Sequence, residues 1–367
     1  MSKSGSEISN DNSTLGNKTA RASLLSVSSR LTAKLIGFAA TLVLARILDP
    51  EDFGLVAIAL MALGLFDVLR NMGTGEALVY QQRYRDIESS SAFWISLTTG
   101  VVLFALLLFI APILATYFKN EQVTNLIRFI SSIFIIEALA AIPAARAKRD
   151  LEFGTIAYAE LTRAVCKGFI SIVLALNGFG VWSILYGQFF GAVIGMLVYW
   201  FRSNWRPSFA FEWQASRELL SYGLVLIGVG IVAFLSTRFD QFIIARRLDV
   251  LQLGYFVMAY TISSTLITDL AYNAGQATCS TFARVQKEAS VLKKYYLETL
   301  YWHSLFGFGF SIGLAIAAPL VVGVLFADKW EPMIPVLQVL CVHALFVTLS
   351  TAPADLMSAT GLSLIHI

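Results

Sequence analysis

The chain has 367 residues, 57% of them hydrophobic and 14% charged, with a formal net charge of +3 and a mean hydropathy of +0.70. Ordinary soluble domains carry about a quarter charged residues, so this chain has too little polar surface to cover a globule in water. The small net charge argues against nucleic acid as a partner, and the natural solvent for such a chain is a bilayer.

The first 21 residues are polar and rich in Ser and Asn. They lack the apolar core of a signal peptide and are predicted to be a disordered cytoplasmic tail. Beyond them, apolar runs near the ~20 residues needed to cross a bilayer recur along the chain. They predict ten helices, at 22–45, 53–72, 92–118, 123–143, 156–176, 180–201, 216–240, 252–274, 297–325 and 334–355. The runs are continuously apolar and do not alternate, which excludes a membrane barrel. The expected class is an all-α polytopic membrane protein.

The connections between helices hold turn formers or charge. In "LARILDPEDFG" (Leu44 to Gly54), Asp49 and Pro50 stop the first helix, because proline disfavours a helical residue before it. Glu51 and Asp52 suit the first turn of the next helix. These acids are read as caps, with an ion site as the alternative. Orientation follows from the basic residues. Fifteen Lys and Arg fall on one set of alternate connections, including Arg83, Arg146, Lys148, Arg149, Arg206 and Lys293. Five fall on the other: Arg46, Lys119, Arg246, Arg247 and Lys329. This places the N-terminus in the cytoplasm.

A blurred copy of the first turn recurs as "IARRLDVLQLG" (Ile244 to Gly254). Ala45, Arg46, Leu48, Asp49, Gly54 and Ala59 match Ala245, Arg246, Leu248, Asp249, Gly254 and Ala259 at a constant offset of 200 residues, which extends to Gly75 and Ala77 against Gly275 and Ala277. Six helices precede position 216, so the halves run parallel, as in transporters built of parallel repeats around a midplane substrate site. The predicted organisation is the tail at 1–21, an N-terminal six-helix bundle at 22–201, a cytoplasmic linker at 202–215, and a C-terminal bundle at 216–367. The two bundles are expected to flank a central cleft. By the offset, the last two helices of the second bundle would lie at 355–376 and 380–401, so that bundle is expected to be cut short after four helices and the start of a fifth.

Charges inside the spans are the candidate site, because a charge at the centre of a spanning helix costs about 2.5–3.5 kcal/mol on insertion scales. Arg30 and Lys34 lie four apart on one face of the first helix. Glu160, Arg163 and Lys167 share a face of the fifth, and the two cation pairs fall at matching depth. Asp67 and Arg70, Glu137, Arg238 with Asp240, and Asp269 are the other charges in the spans. One reading is a cationic cavity that binds a diphosphate through Arg30, Lys34, Arg70, Arg163, Lys167 and Arg238. In it Asp67, Glu137, Glu160, Asp240 and Asp269 tune charge or carry a coupling proton. The other reading is structural pairing, with Glu160 satisfying Arg163 and Asp67 satisfying Arg70. Lys34 and Lys167 have no carboxylate one turn away in their own helices and are the best candidates for phosphate. His303 and His343 read as structural. Cys166, Cys279 and Cys341 have no metal-ligand spacing and read as small hydrophobes. No cofactor, metal site or catalytic residue is expected, and no P-loop motif for ATP is present.

Three stretches carry a resemblance: "ARILDPEDFGLVAIALMALGLFDVLRNMGTGEALV" (Ala45 to Val79), "PAARAKRDLEFGTIAYAELTRA" (Pro143 to Ala164) and "GFGVWSILYGQ" (Gly178 to Gln188). The likeness continues through "RPSFAFEWQASRELLSYGL" (Arg206 to Leu224). The chain resembles the Wzx-type polysaccharide exporters of the multidrug/oligosaccharidyl-lipid/polysaccharide superfamily. The resemblance implies two helix bundles facing across a cleft, alternating access, and a location in the bacterial inner membrane. It implies flipping of an undecaprenyl-diphosphate-linked oligosaccharide to the outer leaflet for surface polysaccharide synthesis, with polymerase or chain-length machinery as further partners. The alternatives are a cation-coupled multidrug exporter of the same superfamily and a membrane glycan polymerase or ligase. Cations predominate over acids inside the spans, which disfavours the exporter, and the sequence offers no large outer loop for an enzyme.

Overall fold

In hydrocarbon every backbone polar group must be satisfied within its own segment, which leaves helices as the structural unit of a chain with this composition. A computed structural model describes residues 28–70, 86–209, 213–269, 278 and 281–360, and no strand occurs among them. The helices are α1 (28–47), α2 (Pro50–Arg70), α3 (Asp86–Phe118), α4 (Gln122–Ser131), α5 (Ile133–Arg149), α6 (Phe153–Leu176), α7 (Val181–Arg202), α8 (Trp213–Arg247), α9 (Val250–Ser263), α10 (Ala289–Leu325) and α11 (Ile334–Ala359). Eight segments of described helix are long and apolar enough to cross a membrane, with α4 and α5 acting together as one. α6 is set apart from these eight by its three charges, Glu160, Arg163 and Lys167.

All ten predicted helices are present, and several run longer than their apolar cores. α3, α8 and α10 hold 33, 35 and 37 residues, well beyond the ~20 that span the hydrocarbon. The apolar run marks only the part in lipid, and the helix continues into its polar flanks. The fourth predicted helix is broken at Ser132. There the hydroxyls of Ser131 and Ser132 donate to the carbonyls of Arg128 and Phe129, at 2.8 and 2.6 Å, a back-bonding that bends helices. In the eighth, α9 passes after Ser263 into a π-helical turn, Ser264–Thr268. A run of hydroxyls from Thr261 to Thr268 back-bonds across this junction. The tail at 1–21, Gly75, Ala77, Gly275, Ala277, Arg83, Cys279 and the segment after Thr360 lie outside the described residues.

Contacts group the helices into two units, one running to Leu48 and resuming from Leu55 to Leu248, the other comprising Asp49–Gly54 and the chain from Asp249. In the first, α6 packs along α7, and α3 packs against α4, α5 and α8. Its fully buried side chains include Ile58, Leu107, Ile127, Phe134, Ile142 and Leu185. The α6–α7 reversal, "LNGFGVW", is built on Gly178 and Gly180 with φ of +80° and +52°, values that glycine adopts without strain. In the second unit α10 and α11 pair, and α9 packs on α11. Trp330 is fully buried there, against the rings of Phe53, Tyr255 and Phe326. Phe109, Ile113, Val232, Ile316 and Leu320 stand exposed on α3, α8 and α10, an arrangement suited to lipid.

The two copied turns have the expected capping chemistry. The Asp249 side chain accepts from the Gln252 amide at 2.7 Å. In the first copy the Asp52 carboxylate reaches back to the Asp49 amide at 3.2 Å, and Asp49 accepts from the Lys329 ammonium at 3.2 Å.

Candidate functional site

Three helices of the first unit, α1, α5 and α6, bring charge together. Arg163 on α6 donates to Glu137 on α5 at 2.6 Å. Arg30 on α1 approaches Glu160 on α6 at 3.7 Å. Both pairs cross between helices, so neither is the pairing of Glu160 with Arg163 that the sequence offered. Along α6 these two residues point to different neighbouring helices. Tyr199 of α7 lies within electrostatic reach of all four charges. Lys167, one turn beyond Arg163, is half-buried and has no carboxylate in ion-pair range among the described residues. Lys34 is exposed on α1, one turn beyond Arg30. One Glu160 oxygen is buried with no hydrogen-bond partner among the described residues.

The packing that sets this cluster rests on glycines. A side-chain carbon at Gly191 of α7 would come within 3.0 Å of the Lys167 Cβ and 3.1 Å of the Arg163 carbonyl oxygen. One at Gly187 would strike Ser171 and sit 2.7 Å from the Lys167 carbonyl oxygen, whereas one at Gly195 would only touch the Arg163 side chain, at 3.5 Å. On α6, a carbon at Gly168 would meet Ala40 of α1 at 2.9 Å. Small residues four apart let spanning helices approach closely. The ridge Gly187, Gly191 and Gly195 therefore holds α7 against the cation-bearing stretch of α6, and Gly168 admits α1 on another side. Sequence reasoning passed over this ridge and Tyr199, although the spacing in "GQFFGAVIG" (Gly187 to Gly195) was a legible signal.

Arg70 donates to Asp67 at 2.7 Å, the local pair expected one turn apart on α2. Arg238 and Asp240 are exposed on α8, and the Asp240 carboxylate accepts from the amide of Gln241 at 2.7 Å. Asp269 follows the π turn in the second unit. His303 is buried and its Nδ1 lies 2.9 Å from the Thr299 carbonyl oxygen, which fits a structural role. No group of His, Cys, Asp and Glu suited to a metal occurs among the described residues.

The arrangement is a mixed ionic cluster built across helix boundaries. Two carboxylates answer two arginines across helix boundaries, and Lys167 adds a cation that is not matched in the same way. An anionic group entering beside Lys167 could compete with Glu137 and Glu160 for the guanidinium donors, since charge-assisted bonds of this kind are strong and interchangeable among oxyanions.

These features define a polytopic α-helical membrane protein. Residues 43–335 match the profile of the polysaccharide biosynthesis protein family, and the chain belongs to that family. It is 24% identical over 330 residues to the lipopolysaccharide biosynthesis protein WzxC of Escherichia coli (strain K12), covering 88% of this chain and 66% of that protein. The chain spans between 60% and 68% of the length of the curated relatives it matches. Its fold is similar to that of the lipid II flippase MurJ in an inward closed conformation, with a TM-score of 0.76, 12% identity and coverage of 92% of this chain and 76% of that one. It is also similar to an inward-facing MATE family multidrug transporter, with a TM-score of 0.71, 16% identity and coverage of 89% and 81%.

Proposed function

We propose that this chain serves in moving a polyprenyl-diphosphate-linked oligosaccharide across the bacterial inner membrane, from the cytoplasmic to the outer leaflet, for surface polysaccharide synthesis. The observation that carries this reading is Lys167: a cation inside a spanning helix, beside Arg163 and one turn from it, with no carboxylate partner among the described residues. A diphosphate supplies the charged oxygens that such a lysine lacks. Lysine suits a ligand that must also leave, because it binds as a point charge and demands no fixed fork geometry. The likeness to WzxC and to MurJ supports the same reading through proteins whose names place them in lipopolysaccharide biosynthesis and lipid II flipping.

In this mechanism Arg30, Lys34, Arg163 and Lys167 receive the diphosphate from the cytoplasmic side. Glu137 and Glu160 hold the arginines in place when no substrate is bound. The bundles 22–201 and 216–367 act as the repeated halves of an alternating-access cycle, with the N-terminus in the cytoplasm and 202–215 linking them. No catalytic chemistry is required of the protein.

The test is complementation of a strain lacking its own flippase, with membrane abundance measured in parallel. Lys34→Ala and Lys167→Ala should abolish or greatly reduce glycan export, Lys→Arg at each should retain part of it, and replacing Arg46 should matter less. Normal export by both alanine variants at normal abundance would overturn the reading. The MATE-like fold makes a cation-coupled multidrug exporter the second reading. Extrusion of cationic dyes by the wild type, without glycan export, would favour it.

A further inference from the structure

The end of α7 and the loop after it carry two exposed cations that take no part in the ion-pair cluster. α7 is an apolar span whose last residue is Arg202, so Arg202 stands where hydrocarbon gives way to headgroups. Its guanidinium lies 5.0 Å from the ring centroid of Tyr158 on α6. It has no hydrogen bond and no carboxylate in ion-pair range among the described residues. Arg206, in the loop, is held from two sides. Its Nη1 donates to the carbonyls of Ser203 and Trp205, at 2.6 and 2.8 Å, and its guanidinium lies 5.6 Å from the centroid of Trp200. Both Nη1 hydrogens are thereby engaged. The Nε–Nη2 edge remains, a fork that matches two oxygens of one phosphate, and no carboxylate among the described residues occupies it.

The loop that presents this fork is fixed to α3. Ser208 donates its amide and its hydroxyl to Ser90 Oγ, each at 3.1 Å, and Trp94 donates its indole N–H to the Ser208 carbonyl at 2.9 Å. Phe209 stacks on Trp94 with ring centroids 5.3 Å apart. Arg206 is therefore a positioned cation and not a free arm.

The apolar neighbours narrow the ligand. Phe201 and Phe209 flank the two arginines in sequence and are 84% and 92% exposed. Rings so bare are stabilised by hydrocarbon, whereas a guanidinium fork is stabilised by an oxyanion. A phospholipid headgroup joins the two in one molecule. A free phosphate, a nucleic acid or an acidic peptide would leave the rings in water. The acids that begin the α5–α6 connection are engaged elsewhere, Asp150 by the Arg149 guanidinium at 2.8 Å and Glu152 by the Thr155 hydroxyl at 3.1 Å. With no carboxylate paired to either arginine, the surface offers nothing to the ammonium of a zwitterionic headgroup, and an anionic one fits better.

We propose that Arg202 and Arg206, with Phe201 and Phe209 beside them, bind the headgroup phosphate of an anionic phospholipid. On the topology proposed above this is a lipid of the cytoplasmic leaflet, where basic residues next to spans meet anionic headgroups. The site goes beyond the flippase reading, because it needs no transported substrate.

The experiment uses the full chain purified in a neutral detergent, with lipid binding resolved one molecule at a time by native mass spectrometry. The first dioleoylphosphatidylglycerol should bind more tightly than the first dioleoylphosphatidylcholine. Arg202→Gln and Arg206→Gln should each weaken phosphatidylglycerol binding about fivefold, the effect of one basic residue at an anionic surface. Arg206→Lys keeps the charge but loses the fork, and should bind more weakly than the wild type. Lys148→Gln, at an exposed cation near the end of α5, should leave the affinity unchanged. If Arg206→Gln does not fold, Arg202→Gln, which breaks no hydrogen bond, decides alone. Equal binding of the two lipids, unchanged affinity in the folded glutamine variants, or an equal loss in Lys148→Gln would overturn the proposal. Displacement of phosphatidylglycerol by equimolar inorganic phosphate would overturn it in favour of a soluble anion. Tighter binding of undecaprenyl diphosphate, lost with the same arginines, would overturn it in favour of the transported lipid.

Discussion

Gly54 and Gly254 meet where α2 and α9 begin, and the contact is reciprocal. A side-chain carbon on Gly54 would strike the carbonyl oxygen of Val250, and one on Gly254 would strike that of Pro50. Each clash is with the residue four before the other glycine, so a local two-fold relates the pair, as in an isologous contact. The same 200-residue offset relates Pro50 to Val250 and Gly54 to Gly254. The first turns of two repeated helices thus cross backbone to backbone, and only glycine admits that approach.

Alanine at either position should therefore be costly. Gly54→Ala and Gly254→Ala force backbone against backbone, where overpacking costs about 1–3 kcal/mol. Each should lower the melting temperature of the purified protein and its abundance in membranes. Gly323→Ala, with nothing within 4 Å of the added carbon, should leave both unchanged. Equal behaviour of all three variants would refute the close crossing.

The glycine ridge on α7 predicts a graded response. Gly191→Ala places its carbon 3.0 Å from the Lys167 Cβ, while Gly195→Ala makes ordinary contact at 3.5 Å. Gly191→Ala should reduce export severalfold at normal abundance by displacing Lys167. Gly195→Ala should stay within about twofold of wild type, since it adds contact without forcing a shift. Export and membrane level measured together decide between them.

The cross-helix pair of Arg163 and Glu137 can be tested by a double-mutant cycle. Both side chains are partly exposed, at 38% and 22%, so the coupling should be about 1 kcal/mol, well short of the cost of breaking a fully buried pair. Glu137→Gln and Arg163→Gln should each lower thermal stability, and the double variant should lose less than the sum. Simple additivity would mean that the pair contributes nothing.

The two turn acids should differ in consequence. Asp249→Ala removes an N-cap and should cost about 1 kcal/mol. Lys329→Met removes only the partner of an exposed Asp49 and should cost about 0.5 kcal/mol or less. Chemical denaturation of the purified protein gives both values.

Orientation is open to direct labelling. In a cysteine-free background, Glu51→Cys should react with an impermeant thiol reagent in intact cells, and Lys148→Cys should not. Both positions are exposed, so accessibility in the fold does not limit the comparison. Labelling at 148 without labelling at 51 would invert the proposed topology.

The sequence by itself determined the class, the helices and the repeat. A bilayer permits few solutions, and apolar run length, the proline at position 50 and the recurrence of Arg, Asp and Gly at a fixed offset are linear signals. It also determined that Arg30 and Lys34 share a face of one helix and Arg163 and Lys167 a face of another, because i, i+4 spacing fixes that. Partnership between helices was decided by tertiary structure. Glu160 turned to Arg30 and Arg163 to Glu137, because a residue on α6 meets whatever helix is packed on its side, and no spacing within one helix encodes that. The break at Ser132 and the π turn after Ser263 likewise arose from hydroxyls choosing carbonyls in three dimensions.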